Sequence, residues 1–319
     1  MRARPARQFY ACAAAVSLVA AAVIAATSAG LLIERTTRFA PLLARRCLSL
    51  MLYVLVPFVA YTSFAHLHVS VDAGVGLALA YVGLGFAGAL AYAIGKRWLA
   101  LPRPSLGALV CSVLLVNTAY LGLPMTVAVL GTSHLSQAVA YDQVVSGPML
   151  FTVGFAVGAA FGTAGTRGGG GRVLAVVTRN PPLIAAIAGL LVPTSLAPHA
   201  FVVASHYVVD ALLVIGFVAV GISLSTERRE DRAPLLERPD RRIGVALVLR
   251  FATTTSLLGL AWLVGVAIPS AYLLQAAMPS GINSLIVGHA FGLDQHLIAT
   301  MIVWSTLAVL VVGLAASAI

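Results

Sequence analysis

Charge is what this chain has least of. Asp and Glu together number 10 in 319 residues, Lys and Arg 20, and charged residues make up 9% of the whole. A soluble domain uses roughly a quarter of its residues as charges to dress its surface. Here 60% of the residues are hydrophobic and the mean hydropathy is +0.99, which excludes a water-soluble fold of this size. Cysteine is scarce too: Cys12, Cys47 and Cys111 lie in apolar stretches with no paired spacing, so neither a disulfide framework nor a cysteine metal centre follows. The His residues show no ligand spacing, and no metal or other cofactor is implied. No Glu falls inside the apolar runs, and His-Glu-x-x-His, Gly-x-Ser-x-Gly and a paired intramembrane Asp motif are all missing, which argues against an intramembrane enzyme.

What is present is a series of long apolar runs. A spanning helix needs roughly 20 apolar residues to cross a bilayer core. Ten candidates are read: Phe9 to Ile33, Cys47 to Phe64, Ala73 to Gly95, Leu106 to Leu130, Leu135 to Gly162, Leu183 to Leu196, Val202 to Leu224, Ile243 to Ile268, Tyr272 to Phe291 and Leu297 to Ala316. The sixth is short and bounded by prolines. A net charge of +10 would suit nucleic acid, but the basic residues are confined to short clusters between these runs, so the partner is a lipid bilayer and not nucleic acid.

The clusters alternate. Arg35, Arg38, Arg45 and Arg46 follow the first run; Lys96, Arg97 and Arg103 follow the third; Arg167, Arg172 and Arg179 follow the fifth; and six Arg, from Arg228 to Arg242, follow the seventh. The connections after runs two, four, six and eight carry no Lys or Arg. This predicts ten spans in the cytoplasmic (plasma) membrane, with the basic loops inside and both termini on the outer face. The amino-terminal "MRARPAR" dissents, and with Ala-rich residues 11 to 29 it could be a cleaved signal peptide. A retained first span is preferred because losing it would leave nine. The basic 226 to 242 loop reads as a solvated loop that could also touch anionic lipid.

"GTAGTRGGGGR", residues 162 to 172, lacks the Lys-Ser/Thr ending of a phosphate loop and reads as a flexible linker. It divides the chain into a first five-helix repeat (1–161), a cytoplasmic linker (162–180) and a second five-helix repeat (181–319). An odd number of crossings forces the second half to begin on the opposite face, so the halves are expected to form an inverted repeat.

Two motifs occupy matching places, the fourth span of each half: "VNTAYLGLPM", residues 116 to 125, and "QAAMPSGIN", residues 275 to 283. Each sets Pro, Gly and Asn in mid-span. Proline lacks an N–H, so Pro124 is expected to free the carbonyl of Tyr120, and Pro279 that of Gln275. Such breaks persist only where they are buried in protein or line a wet cavity. If the two helices cross there, their half-helix amino termini would present partial positive charge to an anion, with Asn117 and Asn283 as hydrogen-bond donors. A plain proline kink in each helix is the structural alternative.

These residues resemble the auxin efflux carrier family. "NTAYLGLPM" with the following "VAVLG" is similar to its fourth-span signature, and "LQAAMPSGINSLIVGHAFGLD", residues 274 to 294, to its ninth. "LSLMLYVLVPFVAYTSFA", "RNPPLIAAIAGLLVP" and "VIGFVAVGISL" resemble its second, sixth and seventh spans, so the likeness runs along almost the whole chain. The resemblance implies an all-α transmembrane fold of ten helices in two inverted five-helix repeats, with crossed, broken fourth and ninth helices. It also implies a secondary transporter for a small organic anion, such as a dicarboxylate or an auxin-like acid. Asn117, Pro124 and Pro279 match the motif directly, while Asn283 lies just beyond it. The substrate-binding set is expected to be Asn117, Thr118, Gly122 and Pro124 with Gln275, Pro279, Ser280, Gly281 and Asn283. The large loop of the plant exporters is absent, which favours a compact bacterial-type permease.

Charged residues inside spans are costly and functional by default. Asp142 could carry a proton or cation, or pair with Arg250 or a backbone donor. Arg250 could be an organic-anion counter-charge or a cytoplasmic anchor. His206 and Asp210, four apart on one helix face, could relay protons or form an interface pair. Proton or sodium is thus the candidate coupling ion, and a homodimer is left open. Gly154, Gly158 and Gly162 are expected to let another helix approach closely. The rival functions are a sodium-coupled organic anion symporter of the bile-acid type, a non-transporting membrane receptor and an intramembrane enzyme.

Overall fold

The computed structural model describes residues 4–66, 74–163, 180–226 and 240–316; the side chains of residues 1–16, 226 and 316 lie outside the description. Most of the Gly-rich linker and of the basic 226 to 242 loop, with Arg167, Arg172, Arg179 and Arg228, therefore fall outside the described residues, as does the side chain of Cys12.

Every regular element among the described residues is helical. Seven helices are long and apolar enough to cross a membrane: α1 (its apolar part Ser17–Thr36), α2 (Ala40–Ala65), α3 (Gly74–Arg97), α6 (Thr132–Phe161), α8 (His199–Thr226), α9 (Arg241–Leu263) and α12 (Gln295–Ala316). Between them stand shorter pieces: α4 (Arg103–Leu114), α5 (Thr118–Leu130), α7 (Pro181–Leu191), α10 (Ser270–Ala276) and α11 (Asn283–Phe291). The helices expose bulky apolar side chains such as Leu18, Phe86, Trp262 and Leu263, as helices do whose outer solvent is hydrocarbon.

Helix ends follow the local sequence. Asn180 caps α7 by accepting the Leu183 amide at 3.2 Å, and Asp240 caps α9 by accepting the Ile243 amide at 3.0 Å. Asp294 accepts the Leu297 amide at 3.0 Å to start α12, while Ser105 Oγ donates to its other oxygen at 2.7 Å and ties α4 to that corner. Gly292 ends α11 in the left-handed conformation, at φ 71°.

Glycines set the closest helix approaches. A Cβ on Gly30 of α1 would stand 2.2 Å from the Val218 carbonyl oxygen of α8, and one on Gly221 would stand 2.2 Å from that of Thr27. The fifth-span glycines behave as expected: Gly158 packs on Val287 and Phe291 of α11, and Gly162 on the Phe291 main chain. Two sequence expectations need correction. Arg45 and Arg46 lie inside α2 and not in a loop, because that helix starts at Ala40. Glu34, placed just past the first span, belongs to the last turn of α1, is 2% exposed, and accepts Ser225 Oγ of α8 at 2.6 Å, so a carboxylate is buried in a helix interface after all.

Candidate functional site at the helix crossing

Two of the membrane-directed segments stop and restart. Between α4 and α5, Leu115 is extended (φ −89°, ψ 106°) and Asn117 sits at φ −84°, ψ 61°. Between α10 and α11 the chain is interrupted over residues 277–282. The two interruptions meet. Asn117 N donates to the Pro279 carbonyl at 2.8 Å, Gly281 N donates to the Leu115 carbonyl at 2.7 Å, and Val116 and Ser280 face each other as an antiparallel bridge. Backbone groups released by one break are thus satisfied by the other, which solves the problem that buried peptide groups would otherwise pose in hydrocarbon. Gly281 permits the approach, since a Cβ there would stand 2.9 Å from the Val116 carbonyl oxygen.

The breaks do not open where proline alone would open them. Pro124 lies inside α5, two residues past a π-helical turn over Thr118–Gly122, and the interruption is at residues 115–117, ahead of that turn. Nor does Pro279 leave the Gln275 carbonyl open, because the Met278 amide donates to it at 3.2 Å.

Arg250 is not the surface-reaching anchor that one sequence reading made it. Fully buried on α9, its guanidinium donates to the carbonyls of Val113 (2.8 Å), Ala276 (2.5 Å) and Met278 (3.2 Å). Val113 and Ala276 belong to the carboxyl ends of α4 and α10, and Met278 to the interruption just after α10, so one cation serves the negative dipole ends of both half-helices. It therefore neither reaches the cytoplasmic surface nor pairs with Asp142.

Asp142 instead lies beside the first residue of α5. It opens a π-helical turn in α6 (Asp142–Ser146) and accepts Thr118 Oγ1, on the first residue of α5, at 2.5 Å. No Lys, Arg or His nitrogen lies within ion-pair distance of it among the described residues. Asp142 lines a cavity of about 60 Å³ with Tyr120, Ser146, Asn283 and, from α2, Val56 and Ser63. Across it, Tyr120 Oη donates to Asn283 Oδ1 at 3.2 Å. Ser146 Oγ is buried without a partner.

The other expected residues divide. Asn117 is 2% exposed at the crossing, and both its Oδ1 and Nδ2 lack a hydrogen-bond partner among the described residues, but it does not line that cavity. Gln275 is buried against Gly122, where a Cβ would stand 2.0 Å from its Oε1; Nε2 reaches the Ala138 carbonyl at 3.5 Å and Oε1 has no partner. Ser280 is used structurally, its Oγ donating to the Ser112 carbonyl at 2.5 Å and its amide to Ser305 Oγ at 3.1 Å. His206 and Asp210 are exposed on α8, share no hydrogen bond among the described residues and do not line the cavity. Sequence reasoning missed Tyr120 and Ser146. Tyr120 stood inside a quoted motif, whereas Ser146 carried no signal of its own.

No family model matches the chain. It is 28% identical over 246 residues to an uncharacterized transporter of Methanocaldococcus jannaschii, a match covering 72% of this chain and 73% of that protein. That likeness and the seven long apolar helices together support a multi-pass membrane transporter.

Proposed function

We propose that the chain is a secondary carrier of the auxin efflux carrier type, a compact permease that moves a small organic anion across the cytoplasmic membrane by alternating access. The observation that carries this reading is the crossing itself: two interrupted helices exchange the Asn117–Pro279 and Gly281–Leu115 hydrogen bonds and leave the Asn117 side-chain amide buried and without a partner among the described residues. Unpaired buried polar groups are expensive and point to a ligand.

Ten crossings result if α4 with α5, α7, and α10 with α11 each count as one beside the seven long helices. The packing suits inverted repeats of residues 1–161 and 181–319. Under a twofold relating the halves, the pair α1 with α8 exchanges with the pair α7 with α2, and both are glycine contacts: Gly30 with Gly221, and Gly189 against the Tyr61 carbonyl. On this reading both termini lie outside, the linker 162–180 is cytoplasmic, proton or sodium is the coupling ion, and a homodimer remains an open assembly. A 60 Å³ cavity is far below the roughly 300 Å³ of an open small-molecule pocket, so a substrate enters only when one bundle moves against the other.

Proteoliposome uptake and efflux of malate, malonate and an indole acid test the proposal. Flux of one of them that Asn117→Leu abolishes is the expected result. Flux indifferent to Asn117→Leu and Gly281→Val removes the site. Saturable binding without flux would mark a receptor, flux that requires sodium a symporter of the bile-acid type, and conversion to a new compound an enzyme.

A further inference from the structure

We infer that Asp142 is the proton-carrying group of this carrier, and that an organic anion is admitted to the crossing only when that carboxylate is protonated. The inference rests on the carrier reading above and assigns its coupling ion. Three observations carry it. Asp142 lies about 15 Å along α6 from Thr132, at 1.5 Å per residue, deep within a spanning helix. It faces a cavity with no basic partner among the described residues. It also holds Thr118, the first residue of the 13-residue helix α5.

A helix amino terminus attracts negative charge, and here a resident carboxylate already stands beside it, bonded to the Thr118 hydroxyl. A substrate carboxylate seeking the same end meets a like charge in a small, poorly solvated space. One of the two must then be neutral, as in any pair of carboxylates sharing a site. Arg250 cannot relieve the conflict, since its guanidinium is committed to the Val113, Ala276 and Met278 carbonyls. Protonation removes the conflict: a hydronium ion gives up one O–H bond as the O–H of Asp142 forms and leaves as water, and on the other face the Asp142 O–H breaks as water takes the proton back to become hydronium. No other covalent bond is involved.

Among the described residues, the surrounding elements contribute no competing charge. From α5 the titratable group facing Asp142 is the Tyr120 phenol, which donates to Asn283 of α11. From α3, Tyr81 Oη donates to the Val144 carbonyl of the same π-helical turn. On α6 itself the neighbour is Tyr141, whose ring packs on Tyr272 of α10 at 5.6 Å, and from α2 the cavity receives Ser63, which does not titrate. Ser146 Oγ, buried and unpartnered at the cavity wall, is placed to accept from a protonated carboxyl.

The test uses the full chain in lipid nanodiscs. Infrared difference spectra across a pH titration should show one carboxyl protonation that is missing in Asp142→Asn and present in Asp142→Glu. Malonate, added as the probe in weak buffer, should draw about one proton per bound molecule from solution, and Asp142→Asn should bind it with no proton uptake. A carboxyl at position 142 that stays ionised throughout the titration overturns the inference. So does malonate binding without proton uptake, or with uptake unchanged in Asp142→Asn, or with sodium required in place of the proton. Failure of malonate and the other acids to bind counts against the carrier reading, whereas the infrared titration still decides the protonation of Asp142.

Discussion

The amide of Asn117 donates to the carbonyl of Pro279 across 162 residues of chain, at 2.8 Å. One reciprocal bond, from Gly281 to Leu115 at 2.7 Å, completes a two-bond antiparallel bridge between otherwise helical segments. The bridge lets two helices be broken inside a bilayer without stranding peptide groups in hydrocarbon.

Gly281 is the residue this bridge can least lose. A Cβ at 281 would press on the Val116 main chain, at 2.9 Å from its oxygen and 3.0 Å from its carbon, and backbone cannot swing aside as a side chain can. Gly281→Ala should cost on the order of 1–3 kcal/mol, the usual range for overpacking. Gly85→Ala and Gly259→Ala, whose Cβ would meet nothing within 4 Å, should be neutral. Thermal loss of the monodisperse size-exclusion peak in detergent ranks the three.

Arg250 joins three carbonyls from two half-helices with donors set in a planar fork. Truncation to Ala leaves all three carbonyls buried and unserved, and should cost roughly 3 kcal/mol or more. Arg250→Lys retains the charge but not the fork, and should fall between Ala and wild type. Equal stability of Lys and wild type in the same assay would mean that charge alone suffices.

Asn117 should separate folding from binding. Its side-chain amide has no partner among the described residues, so Asn117→Leu, of the same branched shape, removes no hydrogen bond seen there and should leave thermal stability within about 1 kcal/mol of wild type. Stabilisation by an added organic anion should vanish in the same variant. A large loss of stability in the ligand-free protein would instead identify the amide as a structural element.

Asp240 offers a pH-dependent prediction outside the bilayer. Partial burial raises its carboxyl, but the Ile243 amide and the adjacent Arg242, 2.5 Å away, outweigh that and hold it below its ordinary value of 3.8. A depressed carboxyl contributes stability that is present above the unfolded value and lost as pH falls through the folded one. Asp240→Ala should therefore cost about 1 kcal/mol near neutral pH, the usual worth of such a cap, and the difference from wild type should close below about pH 4. Paired melting curves at pH 7 and pH 3.5 check it.

Much of the architecture was legible in the residues because hydrophobic length is a local property. Most of the long runs became helices within a few residues of the expected ends, as with Ala73 to Gly95 against Gly74–Arg97, whereas the second starts at Ala40 and not at Cys47. The short sixth run became the short α7, bounded by the prolines that marked it. The site was legible only in outline. Pro124 and Pro279 announced that something is interrupted, yet the opening lies at residues 115–117 in one helix, where the extended backbone is chosen by its partner strand and not by a local breaker.

Composition and pattern by themselves determined that this chain lives in a bilayer, how its apolar segments are spaced, and which two stretches are irregular, since each depends on neighbours in sequence. Tertiary structure alone decided the rest. It placed Arg250 beneath two helix ends and set Asp142 against Thr118, leaving His206 and Asp210 outside the crossing. The reason is that a buried charge takes whatever partner the fold brings within hydrogen-bond reach, and that partner here lies 24 to 137 residues away along the chain.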